Sequence, residues 1–302
     1  MPVIRANVLG MCFGVRDALA VMRDIAAPST VTIHGELVHN EVVLQQLRVR
    51  GFGMVTESER DALPETPRVL VTAHGVSDRE RTRLTAAGKT LIDTTCPLGR
   101  RVHAAALKFA AAGCHLIVIG KPGHVEVRGV VEDVPAHDVV PSLAAVRTYA
   151  ATKLGVICQS TTPPELAAAV LAEVRRLNPH AEVTYADTIC RPTREHQRAL
   201  ADLLPRVEAV VVVGGRNSNN TVELARRVAD YGLPACHVVG PGDLDAEWVT
   251  RYDRVGLTAG TSTLEETVDA VERRLAEMLS GDESNGACRI RTGNQSVMSG
   301  LL

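Results

Sequence analysis

An excess of charge of either sign is missing from this 302-residue chain: 33 Lys and Arg stand against 35 Asp and Glu, a net of -2. Near-neutrality excludes bulk electrostatic binding to nucleic acid or to an acidic membrane surface. Aromatic residues are scarce, eight Phe, Trp and Tyr in all, which removes the stacking platform that single strands require. No apolar run reaches the roughly 18 residues of a membrane-spanning helix. The segment MPVIRANVLG lacks the charged and apolar regions of a signal peptide. A cytoplasmic protein with reduced cysteines is therefore expected. The seven cysteines, at 12, 96, 114, 158, 190, 236 and 288, include no two within four residues of each other, so zinc-finger and thioredoxin-type spacings are absent. The dinucleotide fingerprint GxGxxG is absent too.

What is present is a soluble, globular composition, 45% apolar and 23% charged. Length alone suggests two domains. Continuous apolar runs predict strands at Val31–Ile33, Arg68–Ala73, His115–Gly120, Leu154–Cys158, Val207–Val213 and Arg254–Thr258. Such runs are expected of parallel strands covered on both faces. Helical periodicity lies between them, in Val15–Ile25, Val102–Ala110, Pro164–Leu177, Arg194–Leu204, Thr221–Tyr231 and Leu264–Leu279. The alternation reads as an α/β fold with parallel sheets.

Three cysteines share a context at a junction before a helix: GMCFGVRDALA, TTCPLGRRVHAAA and TICRPTREHQRAL, at intervals of 84 and 94 residues. Polar loop residues recur behind them: His39 and His74 after Cys12, His124 and Ser160 after Cys96, Ser218 and Ser262 after Cys190. This periodicity replaces two domains with three units, at 1–95, 96–187 and 188–280, followed by an aperiodic tail at 281–302 that carries Cys288. Ligands bind at the carboxyl ends of strands in open α/β sheets, so three such units around an axis bring three thiols and six polar loops to one cavity. Three thiolates suit zinc or an iron–sulfur cluster with one open iron. Histidines, hydroxyls and glycine-containing turns beside them suit an oxyanion, with phosphate the expected one.

Over residues 3–279 the blocks GMCFGV, ELVHN, TAHGVS, TTCPL, GHVEV with Gly129, TIC, GGRNSNNT and TAGTS occur in order. In combination they resemble the 4-hydroxy-3-methylbut-2-enyl diphosphate reductases, which end the methylerythritol phosphate route to isoprenoids. The resemblance implies three small parallel-sheet α/β domains in a pseudo-threefold cloverleaf around a 4Fe–4S cluster. It assigns Cys12, Cys96 and Cys190 as the cluster ligands. It maps the diphosphate pocket onto His39, His74, His124, Ser218, Asn219, Asn220 and Ser262, and a substrate-orienting hydroxyl pair onto Ser160 and Thr161. Glu126 matches the carboxyl that delivers a proton to the leaving hydroxyl. Its place two residues from His124 suggests an extended segment with both side chains on one face. The implied reaction yields isopentenyl and dimethylallyl diphosphates, with a reduced ferredoxin or flavodoxin as donor.

Each residue also has a plainer reading. A single loop histidine most often stabilises its loop, and Asn220 suits the cap of a helix beginning near Thr221. Cys114, Cys158 and Cys236 read as small packing residues, and His34, His103, His115, His137, His180, His196 and His237 receive no functional role. Phe13, Ser160, Pro192, His196 and Asn219 depart from the commonest family pattern, as does TLEE after Ser262, which lacks the usual proline. A diverged iron–sulfur sensor, or a reductase of another diphosphate, is the competing expectation.

Overall fold

The computed structural model describes residues 3–280. The tail expected at 281–302, with Cys288, lies outside the described residues. The first strand, β1 (Val3–Arg5), stands apart from those that follow it in sequence. The next four, β2 (Val31–His34), β3 (Gly53–Val55), β4 (Arg68–Val71) and β5 (Thr90–Asp93), form a parallel sheet in the order β3-β2-β4-β5. Then β6 (His115–Ile119), β7 (His137–Val140), β8 (Lys153–Cys158) and β9 (Glu182–Tyr185) repeat that order as β7-β6-β8-β9. Finally β10 (Ala209–Val213), β11 (Ala235–Val238) and β12 (Val255–Ala259) form β11-β10-β12, and β1 completes this sheet beside β12. The expected three-unit parallel α/β architecture is present. One boundary is corrected: β1 belongs by pairing to the third sheet, not to a unit spanning 1–95.

The six strands predicted from apolar runs are the two inner strands of each sheet. Helices cover both faces there, and all five residues of β10 and of β12 are buried. The edge strands β3, β5, β7, β9 and β11 are half-exposed, so no apolar run announces them.

Helices α1 (Phe13–Arg23), α2 (Glu41–Val49), α3 (Asp78–Ala86), α4 (Pro97–Ala111), α5 (Val125–Val131), α6 (Pro164–Leu177), α7 (Arg191–Leu203), α8 (Asn219–Asp230), α9 (Ala246–Val249) and α10 (Glu265–Ser280) connect and cover the strands. Three have a special place. Cys12, Cys96 and Cys190 are the N-cap residues of α1, α4 and α7. Each follows the fourth strand of one sheet and opens a helix that packs on the next. Ala18, Leu19 and Met22 of α1 pack with Val31 and Ile33 of the first sheet. Val102, Ala106 and Phe109 of α4 pack with Leu116 and Val118 of the second. Leu200 and Leu203 of α7 pack with Val210 and Val212 of the third. The cysteines therefore mark the three crossings between units.

Gly155 in β8 shows how closely α4 seats. A β-carbon there would fall 2.7 Å from Cβ of Phe109 and closer still to its ring. Gly155→Ala is expected to cost about 1–3 kcal/mol through overpacking. Urea unfolding with an unchanged midpoint would contradict this packing.

Candidate active site

The sheet topology repeats its chemistry with the same registers. The amides of Cys12, Cys96 and Cys190 donate to the carbonyls of Thr261, Ala73 and Ser160 at 2.9, 3.0 and 2.9 Å. Each acceptor lies two residues beyond the end of an inner strand, β12, β4 or β8. One residue further come Ser262, His74 and Thr161. Five residues beyond the other inner strands, β10, β2 and β6, come Ser218, His39 and His124. Thr161, not Ser160, is thus the counterpart of His74 and Ser262.

Three thiols converge on one cavity with about 600 Å³ of atom-free space, part of it open to solvent, lined also by His74, Glu126, Ser160 and Thr161. Gly14 allows this approach: a β-carbon there would stand 2.5 Å from Cys96 Sγ. Burial pushes the Cys190 thiol up to about 11, and Glu126 and Cys12 act in the same direction. Burial, and to a lesser degree Cys96, also raise the Cys12 thiol against opposing backbone hydrogen bonds. Ionising such thiols together requires cations among them. The N-termini of three helices, none with an acid in its first turn, add favourable potential for an anionic assembly. Among the described residues, no three donors stand close enough to hold a single metal ion.

Above the thiols, the rings of His39, His74 and His124 form a cluster, with centroids 4.6, 5.0 and 5.6 Å apart. His39 Nδ1 pairs with Glu36 at 2.7 Å, leaving Nε2 without a partner, as is Nε2 of His74. His124 Nδ1 accepts from the Glu126 amide at 3.2 Å, so its proton resides on Nε2. Burial lowers His74 well below the ordinary imidazole range, with His39 and His124 adding to the effect. Burial, chiefly, lowers His124 to about 3.

The remaining candidates make contacts between and within the neighbouring loops. Ser262 Oγ donates to the His39 carbonyl at 3.1 Å, and Asn219 Nδ2 donates to Thr161 Oγ1 at 2.9 Å. Asn220 Oδ1 accepts from the Thr261 amide at 3.0 Å, and its buried Nδ2 has no partner. Ser218, not Asn220, caps α8, accepting from the Thr221 amide at 3.3 Å.

Glu126 is 3% exposed. It sits in the first turn of α5, capped by His124, and not on an extended segment. Glu126 lines the thiol cavity, and His124 packs against His74, which lines it too. Oε1 accepts from the Ser160 amide at 2.6 Å and Oε2 from the Ser160 hydroxyl at 2.7 Å. Burial raises its proton affinity, opposed by those two hydrogen bonds. Asn220 stands at the equivalent register in the third unit and accepts the equivalent amide. An amide side chain therefore suffices for that structural bond, and a carboxyl adds an exchangeable proton.

Residues 3–276 match the family model described as LytB protein. This chain belongs to the LytB protein family. A relative from Aromatoleum aromaticum, named 4-hydroxy-3-methylbut-2-enyl diphosphate reductase, is 33% identical over 96% of this chain and 92% of its own. One of that name from Vibrio cholerae is 31% identical over 92% and 91%. The solved reductase of Plasmodium falciparum shares the fold with a TM-score of 0.81, at 23% identity over 93% of this chain and 88% of its own. A second solved structure, described as the terminal enzyme of the non-mevalonate pathway, has a TM-score of 0.62 and 26% identity over 91% and 99%.

Within this LytB chain, two departures border the thiols: Phe13 and Pro192 both line the cavity. Ser160 keeps the hydroxyl that Glu126 uses. His196 is buried, with Nδ1 3.1 Å from the Ala259 carbonyl, a structural contact. Cys158 is buried, and Cys114 and Cys236 are half-buried, away from the cavity lining. Two neighbours were not singled out from sequence. Glu36 orients His39, and Thr193 places its hydroxyl 3.1 Å from Cys190 Sγ. Glu36 carries a signal in the quoted ELVHN block, whereas Thr193 has only its place three residues after a helix-capping cysteine.

The lowered histidines give a pH signature. In the unfolded chain they bind protons below about pH 6.5, whereas His74 and His124 stay neutral when folded. Stability is full above that pH and falls as pH decreases, by about 1.4 kcal/mol per pH unit per histidine. His124→Asn keeps a capping acceptor and is expected to remove one histidine's share of the slope. An unchanged slope in urea titrations from pH 7 to 5 would contradict the neutral His124.

Proposed function

We propose that this chain is a 4-hydroxy-3-methylbut-2-enyl diphosphate reductase that carries its cofactor on Cys12, Cys96 and Cys190. The convergence of three helix-capping thiols beside a histidine cluster and a buried carboxyl is the observation that carries this reading. The thiols fit a 4Fe–4S cluster, which when bound supplies electrons singly and a Lewis-acid position. Removing an allylic hydroxyl as water consumes two electrons and two protons and leaves isopentenyl or dimethylallyl diphosphate. A small carrier protein of the ferredoxin or flavodoxin kind delivers the electrons.

The chain's own residues supply binding and protons. His124 offers an Nε2 donor, and His39, oriented by Glu36, presents its unpartnered Nε2. Ser218, Asn219, Asn220, Ser262 and Thr161 complete a ring of short polar side chains around the phosphates. His74, buried against the other two rings, offers its unpartnered Nε2.

Glu126 has a different task. Its carboxyl is held between amide and hydroxyl of Ser160, on the wall that the thiols share. Burial keeps a proton on it to higher pH than on an exposed carboxyl, which suits a general acid. The Ser160 hydroxyl links that proton to the substrate oxygen, and Thr161 positions Asn219 at the phosphate end. Glu126→Gln preserves the acceptor for the Ser160 amide and removes the acid. Cluster content is expected to stay as in wild type while turnover falls about 10²–10⁴-fold. A cluster-loaded Glu126→Gln enzyme turning over at the wild-type rate would remove Glu126 from the mechanism.

A further inference from the structure

Around two of the cysteines the chain repeats a charge clamp. Asp93 lies three residues before Cys96 and Arg100 four after it, and their side chains pair at 2.8 Å. Asp187 and Arg194 flank Cys190 at the same offsets and pair through both carboxylate oxygens, one at 2.6 Å. A guanidinium near a helix N-terminus opposes the helix dipole, and in these two copies the aspartate offsets it. The third copy is broken. Arg16 follows Cys12 by four residues, but Leu9 occupies the aspartate's place. Arg16 is exposed, and no acid pairs with it among the described residues.

Arg16 lines a surface cleft that Cys12 also borders, with about 980 Å³ of atom-free space, part of it open to solvent. Cys12, Phe13 and Pro192 line both this cleft and the thiol cavity, so these residues separate the two. Val8 and Phe13 are each 40% exposed at its surface. Arg191 extends from its rim with 83% of its side chain exposed, meeting Glu195 at 2.9 Å. Arg5 on the far wall is held by Asp269 and Glu272. The cleft thus offers two exposed apolar side chains, one unpaired cation and one loosely held one, beside Cys12.

We infer that this cleft is the docking surface of the electron donor, a small carrier protein with acidic residues ringing its redox centre. The inference rests on the reductase reading, which requires two electrons from outside. Electron transfer decays steeply with distance, which favours entry where a thiol-bearing residue itself borders a surface cleft. Opposite charge at the rim orients the encounter, and the exposed Val8 and Phe13 side chains add apolar contact.

The test uses cluster-loaded enzyme, Arg16→Glu and Arg16→Lys variants, and an acidic ferredoxin as probe. Ferredoxin affinity is measured by titration, and turnover is measured with either reduced ferredoxin or reduced methyl viologen. Charge reversal at this rim is expected to weaken ferredoxin binding about tenfold or more. Viologen-driven turnover should stay within about twofold of wild type, since a small reductant needs no docking surface. Arg16→Lys should bind nearly as wild type, and wild-type binding should weaken as salt rises. Unchanged ferredoxin affinity in Arg16→Glu overturns the inference. So does an equal loss of both turnovers, or a change in self-association alone. Absence of viologen-driven turnover in the wild type rejects the reductase reading instead, and the titration still decides the docking surface.

Discussion

The hydrogen bond from each cysteine amide to the carbonyl two residues past an inner strand is the contact on which the centre of this molecule depends. It recurs three times with nearly the same length. Each bond ties the chain leaving one sheet to the loop of that sheet, just as it enters the helix of the next. The backbone thus fixes where each cysteine stands, before any contact its thiol makes. Three such points, related by pseudo-symmetry, bring the thiols together although 84 and 94 residues separate them in sequence. The N-terminal strand matters for this reason. By pairing with β12 it closes the third sheet and delivers Cys12 to the position that β5 and β9 give to the other two.

Function resides where the symmetry breaks. At one register the three units carry His39, His124 and Ser218, and at another His74, Thr161 and Ser262. The histidines thus gather on the side of the first two units and the short hydroxyls toward the third. Glu126 and Asn220 share a register and a hydrogen-bonding duty, yet only one can release a proton. The first unit's residue there, Glu41, instead accepts from the Arg216 amide of the third unit. A repeated scaffold sets the positions, and single side-chain changes decide whether a position offers an imidazole, a hydroxyl, a carboxyl or a contact between units.

Much of this was legible in the sequence, for physical reasons that can be named. Inner strands are buried on both faces and write unbroken apolar runs, which is why β2, β4, β6, β8, β10 and β12 were all anticipated. Edge strands such as β9, with the pattern EVTY, alternate with solvent and leave little signal. The cysteine junctions and polar loops were visible because loops in a repeat keep their spacing. The pairing of Ser160 with His74 was one residue out, since linear offsets count insertions that registers ignore. The i, i+2 spacing of His124 and Glu126 suggests an extended segment, and the β-branched residues of VEVRGVV agree with it. Capping by His124 and burial of Val125, Val127 and Val130 override that propensity and make it helical. Partnerships such as Glu36 with His39 arise from side-chain direction, which spacing alone does not encode.

The central claim is that Cys12, Cys96 and Cys190 hold one multinuclear group at the meeting point of the three units. Its most direct measurement is the iron and acid-labile sulfide content of anaerobically purified protein, beside Cys96→Ser. About four irons and four sulfides per chain in the wild type, sharply reduced in the variant, are predicted. Protein that is colourless or holds a single zinc per chain, or a variant that retains the full complement, would contradict the account.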